Sequence, residues 1–221
     1  MRFKGKLATG VAGFLLWASV AFAQSDETAR IKVMVLDSAG LSPTVLHRME
    51  NEAARIFGEA NVQVQWINCL KKGESDNCHH ALRVDEFMLH IVHRGETKTD
   101  LIFGEAFLGE DGTGKYADVF FDRIRDASNP PELDTAQLLG AVAAHEVGHL
   151  LLGSRAHSSA GIMQPVCEKE CLRRIWMGSL LFTRQQARSM QQHFGAPTGT
   201  LMAVQGPYRK DSGTGYRGSL P

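Results

Sequence analysis

Apolar and polar positions alternate in four short runs along this chain and recur at helical spacing in three longer ones. Ile31-Lys32-Val33-Met34-Val35-Leu36 alternates and is β-branched, which predicts a first strand. Ser42-Pro43 opens a helix to about Gly58, with Pro43 in its first turn and Val45, Leu46, Met49, Ala53 and Ile56 as the buried stripe. Val62 to Ile67 and Phe87 to Val92 predict a second and a third strand, and Tyr116 to Phe121 a fourth. Between the last two, Glu105 to Gly114 is rich in glycine and acid and reads as a surface loop. Pro130-Pro131 breaks the chain before a long apolar helix that starts near Asp134 and ends at Gly153. Thr183 with Gln186 predicts a capping box for a last helix ending near Gly195.

This order predicts an α+β (α/β-like) fold. A small twisted mixed sheet would carry an N-terminal backing helix, a buried central helix and a C-terminal helix.

The ends of the chain read differently. Met1 to Lys6 carries Arg2, Lys4 and Lys6, an apolar run follows over residues 11–20, and Ala21-Phe22-Ala23 puts small residues at −3 and −1 of a cut before Gln24. That order predicts a cleavable secretory signal over residues 1–23 and a secreted or periplasmic protein. The run is shorter than the ~20 residues of a membrane span, so no stable membrane anchor is expected. Residues 24–198 form the expected domain, and 199–221, rich in Gly, Ser and Pro, a mobile tail. The first strand begins so soon after the cut that no segment is left to cover a cleft, so no inhibitory propeptide is expected.

Composition changes the picture in two places. The 24 basic and 24 acidic residues balance, and removal of Arg2, Lys4 and Lys6 with the leader leaves 21 against 24. A mildly acidic domain has no electrostatic footprint for nucleic acid. The four cysteines, Cys69, Cys78, Cys167 and Cys171, form an even set suited to an oxidising compartment. Of the three possible pairings, the local one, Cys69–Cys78 with Cys167–Cys171, is preferred. The rival, a cysteine metal site, lacks paired C-x2-C spacing.

The chemistry sits in the apolar helix. Two histidines and a glutamate interrupt it as His145-Glu146-Val147-Gly148-His149. Burying such groups without partners costs ~2–7 kcal/mol each, so something must compensate them. His145 and His149, at i and i+4, project from one face a turn apart, which suits two nitrogen ligands of one zinc ion. Glu146, rotated ~100° from the first, can reach an attacking water as general base without being a ligand. A third ligand is needed, and Gly153 can end the helix so that the chain turns back to His157.

Over roughly residues 116–165, and most closely from His145 to Pro165, the sequence resembles the metzincin metallopeptidases, with the matrixin branch nearest in local pattern. The resemblance implies His145, His149 and His157 as zinc ligands, Glu146 as base and Met163 as the methionine of a turn beneath the metal. It implies hydrolysis of peptide or protein substrates, with an edge strand above the cleft that pairs with substrate backbone. Tyr116 to Phe121 suits that strand. Two spacings depart from the family's pattern: Gly153 stands four residues after His149 rather than three, and His157 eight rather than six, which places Arg155 at the usual ligand position. Glu168 or Glu170 is the alternative third ligand. Pro165 stands where some members carry a tyrosine. Glu110-Asp111-Gly112-Thr113-Gly114 could hold calcium, as matrixin loops sometimes do, but it lacks the spaced-acid pattern and reads as a surface turn.

The other histidines read as structural. His79-His80 lies in a solvated loop, and His90 and His93 point to opposite sides of a strand. Met49, Met88 and Met177 are core candidates. The competing function is a zinc-stabilised extracellular binding protein that keeps such a fold but turns over no peptide; the retained Glu146 argues against it.

Overall fold

The computed structural model describes residues 28–69, 78, 80–94, 102–128, 134–165 and 169–195. The expected leader with its cut after Ala23, the Pro130-Pro131 break, His79, Cys167, Glu168 and the tail at 199–221 lie outside the described residues.

Five strands form one mixed sheet: β1 (Ala29–Asp37), β2 (Val62–Asn68), β3 (Glu86–Val92), β4 (Gly104–Leu108) and β5 (Gly114–Phe120). Their order is β2-β1-β3-β5-β4, the first four parallel and β4 antiparallel at the edge. Among the described residues five helices accompany them: α1 (Pro43–Gly58), α2 (Phe121–Ala127), α3 (Thr135–Leu152), α4 (Lys169–Trp176) and α5 (Arg184–Phe194). The expected fold class is present.

Period two explains the sheet's packing. Ile31, Val33 and Val35 of β1 and Phe87, Leu89 and Ile91 of β3 share one face and are fully buried. Helices α1 and α3 pack against each other, and α3 also contacts β3, β4 and β5. Ser42 caps α1 through Val45 N–H, and Asp134 caps α3 through Ala136 N–H. Thr183 and Gln186 form the expected capping box of α5. Nearly every residue of α3 is buried, as its apolar surround requires.

Three expectations need correction. Glu105 to Gly114 is not all loop: residues 105–108 belong to β4, and the turn is confined to Gly109–Thr113. A five-residue strand containing Gly, Glu and Ala carries little intrinsic β signal, and only pairing with β5 makes it one. Tyr116 to Phe121 is consequently an interior strand, flanked by β3 and β4, and the edge that faces the cleft is β4. Phe121 itself opens α2. Finally, Met49 is buried as expected, but Met177 is 54% exposed just past α4.

Cys69 and Cys78 are bonded to each other, with Cα atoms 5.7 Å apart, and Cys171 is also in a disulfide. No helix among the described residues is long and apolar enough to cross a membrane.

Candidate metal centre

Helix α3 delivers His145 and His149 to one face, and its end delivers the third ring. Gly153, with φ +60°, takes the left-handed conformation that stops the helix. The chain then runs through Ser154 to His157. Ser158 N–H donates to the Met163 carbonyl and Ile162 N–H to that of Leu181, so the segment returns beneath α3. There Met163 is 1% exposed, its sulfur lying 2.9 Å from where a Cβ on Gly148 would stand.

The three rings converge. His145 and His149 are edge to face at 4.7 Å between centroids, and His157 lies 5.4 Å from the first and 4.9 Å from the second. One ring nitrogen from each lies within 4.8 Å of the others. His145 Nδ1 bonds the Ile162 carbonyl and His149 Nδ1 the Ser154 carbonyl, both at 2.7 Å. A carbonyl only accepts, so each Nδ1 carries its ring's proton and each Nε2 keeps its lone pair. The two Nε2 atoms are 3.1 Å apart. Burial pushes His145 down to about 4, against the Ile162 bond and aided by the neighbouring rings. His149 is also lowered, first by burial. These are neutral, preoriented donors with outer carbonyl partners, the form in which imidazole binds metal. The site's residues fit a metal ion.

Glu146 is 6% exposed beside this cluster. Burial pushes its carboxyl up to about 8, and the charge of Glu105 adds to the shift. Gly104 of β4 lies directly over it: a Cβ there would stand 2.6 Å from Glu146 Cγ. Glu146 and the three histidines line one cavity of about 540 Å³, roofed by β4 and floored by α3, with Leu138, Ile162, Ile175 and Leu180 forming an apolar end.

Of the two alternative third donors, Glu168 lies outside the described residues and Glu170 is not brought in. Glu170 is exposed and paired with Arg173 at 2.9 Å. Arg155 also points elsewhere, and its guanidinium bonds the Leu108 carbonyl. His80 pairs with Glu86 rather than a metal, and His93 with Asp122. His90 bonds Ser38 Oγ at 2.8 Å and lies 3.6 Å from Asp118. Asp111 bonds Thr113 within its own turn. Sequence reasoning missed the roof: Glu105 opens the stretch read as loop, and Gly104, just before it, was assigned to no element. The short apolar run Ala106-Phe107-Leu108 was the only local signal in that stretch.

No family model matches the chain, and no curated protein matches it. Among solved structures, the crystal structure of archaemetzincin from Methanopyrus kandleri is similar over 78% of this chain and 98% of that one, at 18% identity and a TM-score of 0.48.

Proposed function

We propose that this protein is a secreted zinc-dependent endopeptidase of metzincin-like architecture. Residues 24–198 form its catalytic unit, after a leader at 1–23. His145, His149 and His157 are its metal ligands, Glu146 its general base, and Met163 the methionine beneath the site. The observation that carries this reading is the convergence of three imidazoles, one nitrogen each within 4.8 Å, beside a buried carboxyl in an open cleft.

Three imidazole donors with an adjoining cavity match a catalytic rather than a closed structural zinc site. Bound there, zinc supplies Lewis-acid chemistry, polarising a carbonyl and making water nucleophilic near neutral pH. The chain does the rest. The carbonyls of Ile162 and Ser154 hold the two helical rings in orientation. Glu146 takes the proton of the attacking water and returns it to the departing amine, a role that typically contributes ~10²–10⁴ in rate. The free edge of β4 lines the cleft, where an extended peptide can add as a further strand.

The test is degradation of a general protein substrate with and without a chelator, by wild type and Glu146→Gln. Chelator-sensitive cleavage that the variant lacks supports the peptidase. Equal cleavage by both, or none by either while zinc is bound, favours the zinc-stabilised binding protein instead.

A further inference from the structure

At one end of the cleft two residues are shared with a second cavity. Leu108 and Arg155 line both the 540 Å³ cavity and a neighbouring depression of about 410 Å³ that takes in Glu110, Asp111 and Ser154. The Arg155 guanidinium, bonded to the Leu108 carbonyl, stands between the two. Its base is firmly placed. Ser154 N–H donates to the His149 carbonyl, Ala156 N–H to Ser154 Oγ, and the Ser154 carbonyl accepts from His149. The other side of the clasp is equally fixed. The turn between β4 and β5 meets the end of α3 at two left-handed glycines: a Cβ on Gly112 would stand 2.4 Å from the Gly153 carbonyl oxygen.

The clasp matters because β4 is an edge. In an antiparallel ladder alternate residues turn their N–H and C=O toward the partner strand and away from it. Phe103 accepts from Phe120 N–H, so its carbonyl faces β5. Gly104 and Ala106 then turn their polar backbone groups to the free edge. The same alternation along β4 puts the Leu108 carbonyl next in that row, the extra residue of the register shift lying on β5, and Arg155 has taken it.

We propose that Arg155 is a specificity-determining residue that ends the substrate ladder, limiting backbone pairing of a bound peptide to the rungs at Gly104 and Ala106. This rests on the peptidase reading and adds to it the substrate's reach: a short extended segment whose next residue must leave the strand at Arg155.

The experiment measures binding of one fluorescent peptide sequence, lengthened a residue at a time at each end in turn, to full-length Glu146→Gln protein. It is repeated with Arg155→Ala and Arg155→Lys added. With Arg155 present, affinity stops rising at one end once two rungs are filled. With Arg155→Ala, the next residue tightens binding about threefold to tenfold, the worth of one freed backbone hydrogen bond. Arg155→Lys, which keeps a donor, retains the plateau. An identical plateau in all three proteins overturns the proposal, as does uniform weakening at every length with Arg155→Ala, which would make Arg155 a brace of the His157 loop. If no peptide binds the Arg155-containing protein and wild type cleaves none, the peptidase reading itself has failed. Binding with an unchanged plateau sinks only the role of Arg155.

Discussion

His145 and His149 present their Nε2 atoms to each other across 3.1 Å while both Nδ1 atoms are held by backbone carbonyls. With both rings neutral, two lone pairs face each other in a buried site. Protonating either ring would relieve that contact, but burial pushes both away from the charged form. A cation between them relieves it without that cost, and His157 stands where it completes the donor set.

Zinc affinity should therefore depend on His157 although that ring is exposed. Changing even outer partners of a ligand typically costs 10–100-fold in metal affinity, so His157→Ala should weaken zinc binding by at least about a hundredfold. Competition with a chromophoric chelator measures this. Glu170→Ala should leave the affinity unchanged, because that carboxylate is paired with Arg173. Zinc binding that survives the first change and drops with the second would give the third position to the acidic segment.

Gly104→Ala tests the contact between roof and base. The added methyl would stand 2.6 Å from Glu146 Cγ and 2.8 Å from the Asp118 carbonyl oxygen, so either β4 or the carboxyl must move. Overpacking of this kind costs about 1–3 kcal/mol, which lowers Tm by several degrees in a domain of this size. The catalytic loss should be larger in proportion, at least tenfold in kcat/KM, since Glu146 is displaced from its place beside the histidines. Wild-type kcat/KM in this variant would mean that Glu146 tolerates the shift and is not held by β4.

What the sequence made legible follows from how local each signal is. The His145-Glu146-x-x-His149 spacing, the Asp134 cap and the Gly153 stop act within one helix, and the structure places all of them as expected. The Thr183–Gln186 box is equally local. Strand β4 was illegible because Gly104, Glu105 and Ala106 carry no strand preference of their own; the strand exists through its partner β5 and its packing over α3. Misreading it moved the cleft's rim to Tyr116–Phe121, a run that lies one strand further in and whose last residue opens α2. The tie between Arg155 and the Leu108 carbonyl, 47 positions apart, likewise has no trace in sequence spacing.

Stability should fall in acid through Glu86, whose carboxylate is 2% exposed. Burial alone would raise its pKa. That is outweighed by hydrogen bonds from Arg83 N–H and His80 and by the charges of Arg83 and His80, leaving it at about 2. A carboxyl depressed from 4.5 contributes stability that is fully present above about pH 4.5 and is lost as pH falls toward 2. Urea unfolding across that window should show the loss in wild type and a flatter profile in Glu86→Gln. Parallel profiles would show that the acid sensitivity arises elsewhere.

Removing metal should destabilise the whole domain, because two of the proposed ligands sit on the helix at its centre and the third on the segment packed beneath it. A ligand that binds only the folded state stabilises by RT ln(1 + [L]/Kd), about 4 kcal/mol at a thousandfold excess over Kd. At roughly 2–4 °C per kcal/mol for a domain of 150–250 residues, a chelator should lower Tm by about 10 °C, and zinc should restore it. His145→Ala distinguishes this from chelator acting on something else. That variant lacks the facing Nε2 pair, so its Tm should lie near that of the chelated wild type and should respond to neither chelator nor zinc. A variant that still shifts by the wild-type amount would place the stabilising ion away from these three histidines, and the proposed site with it.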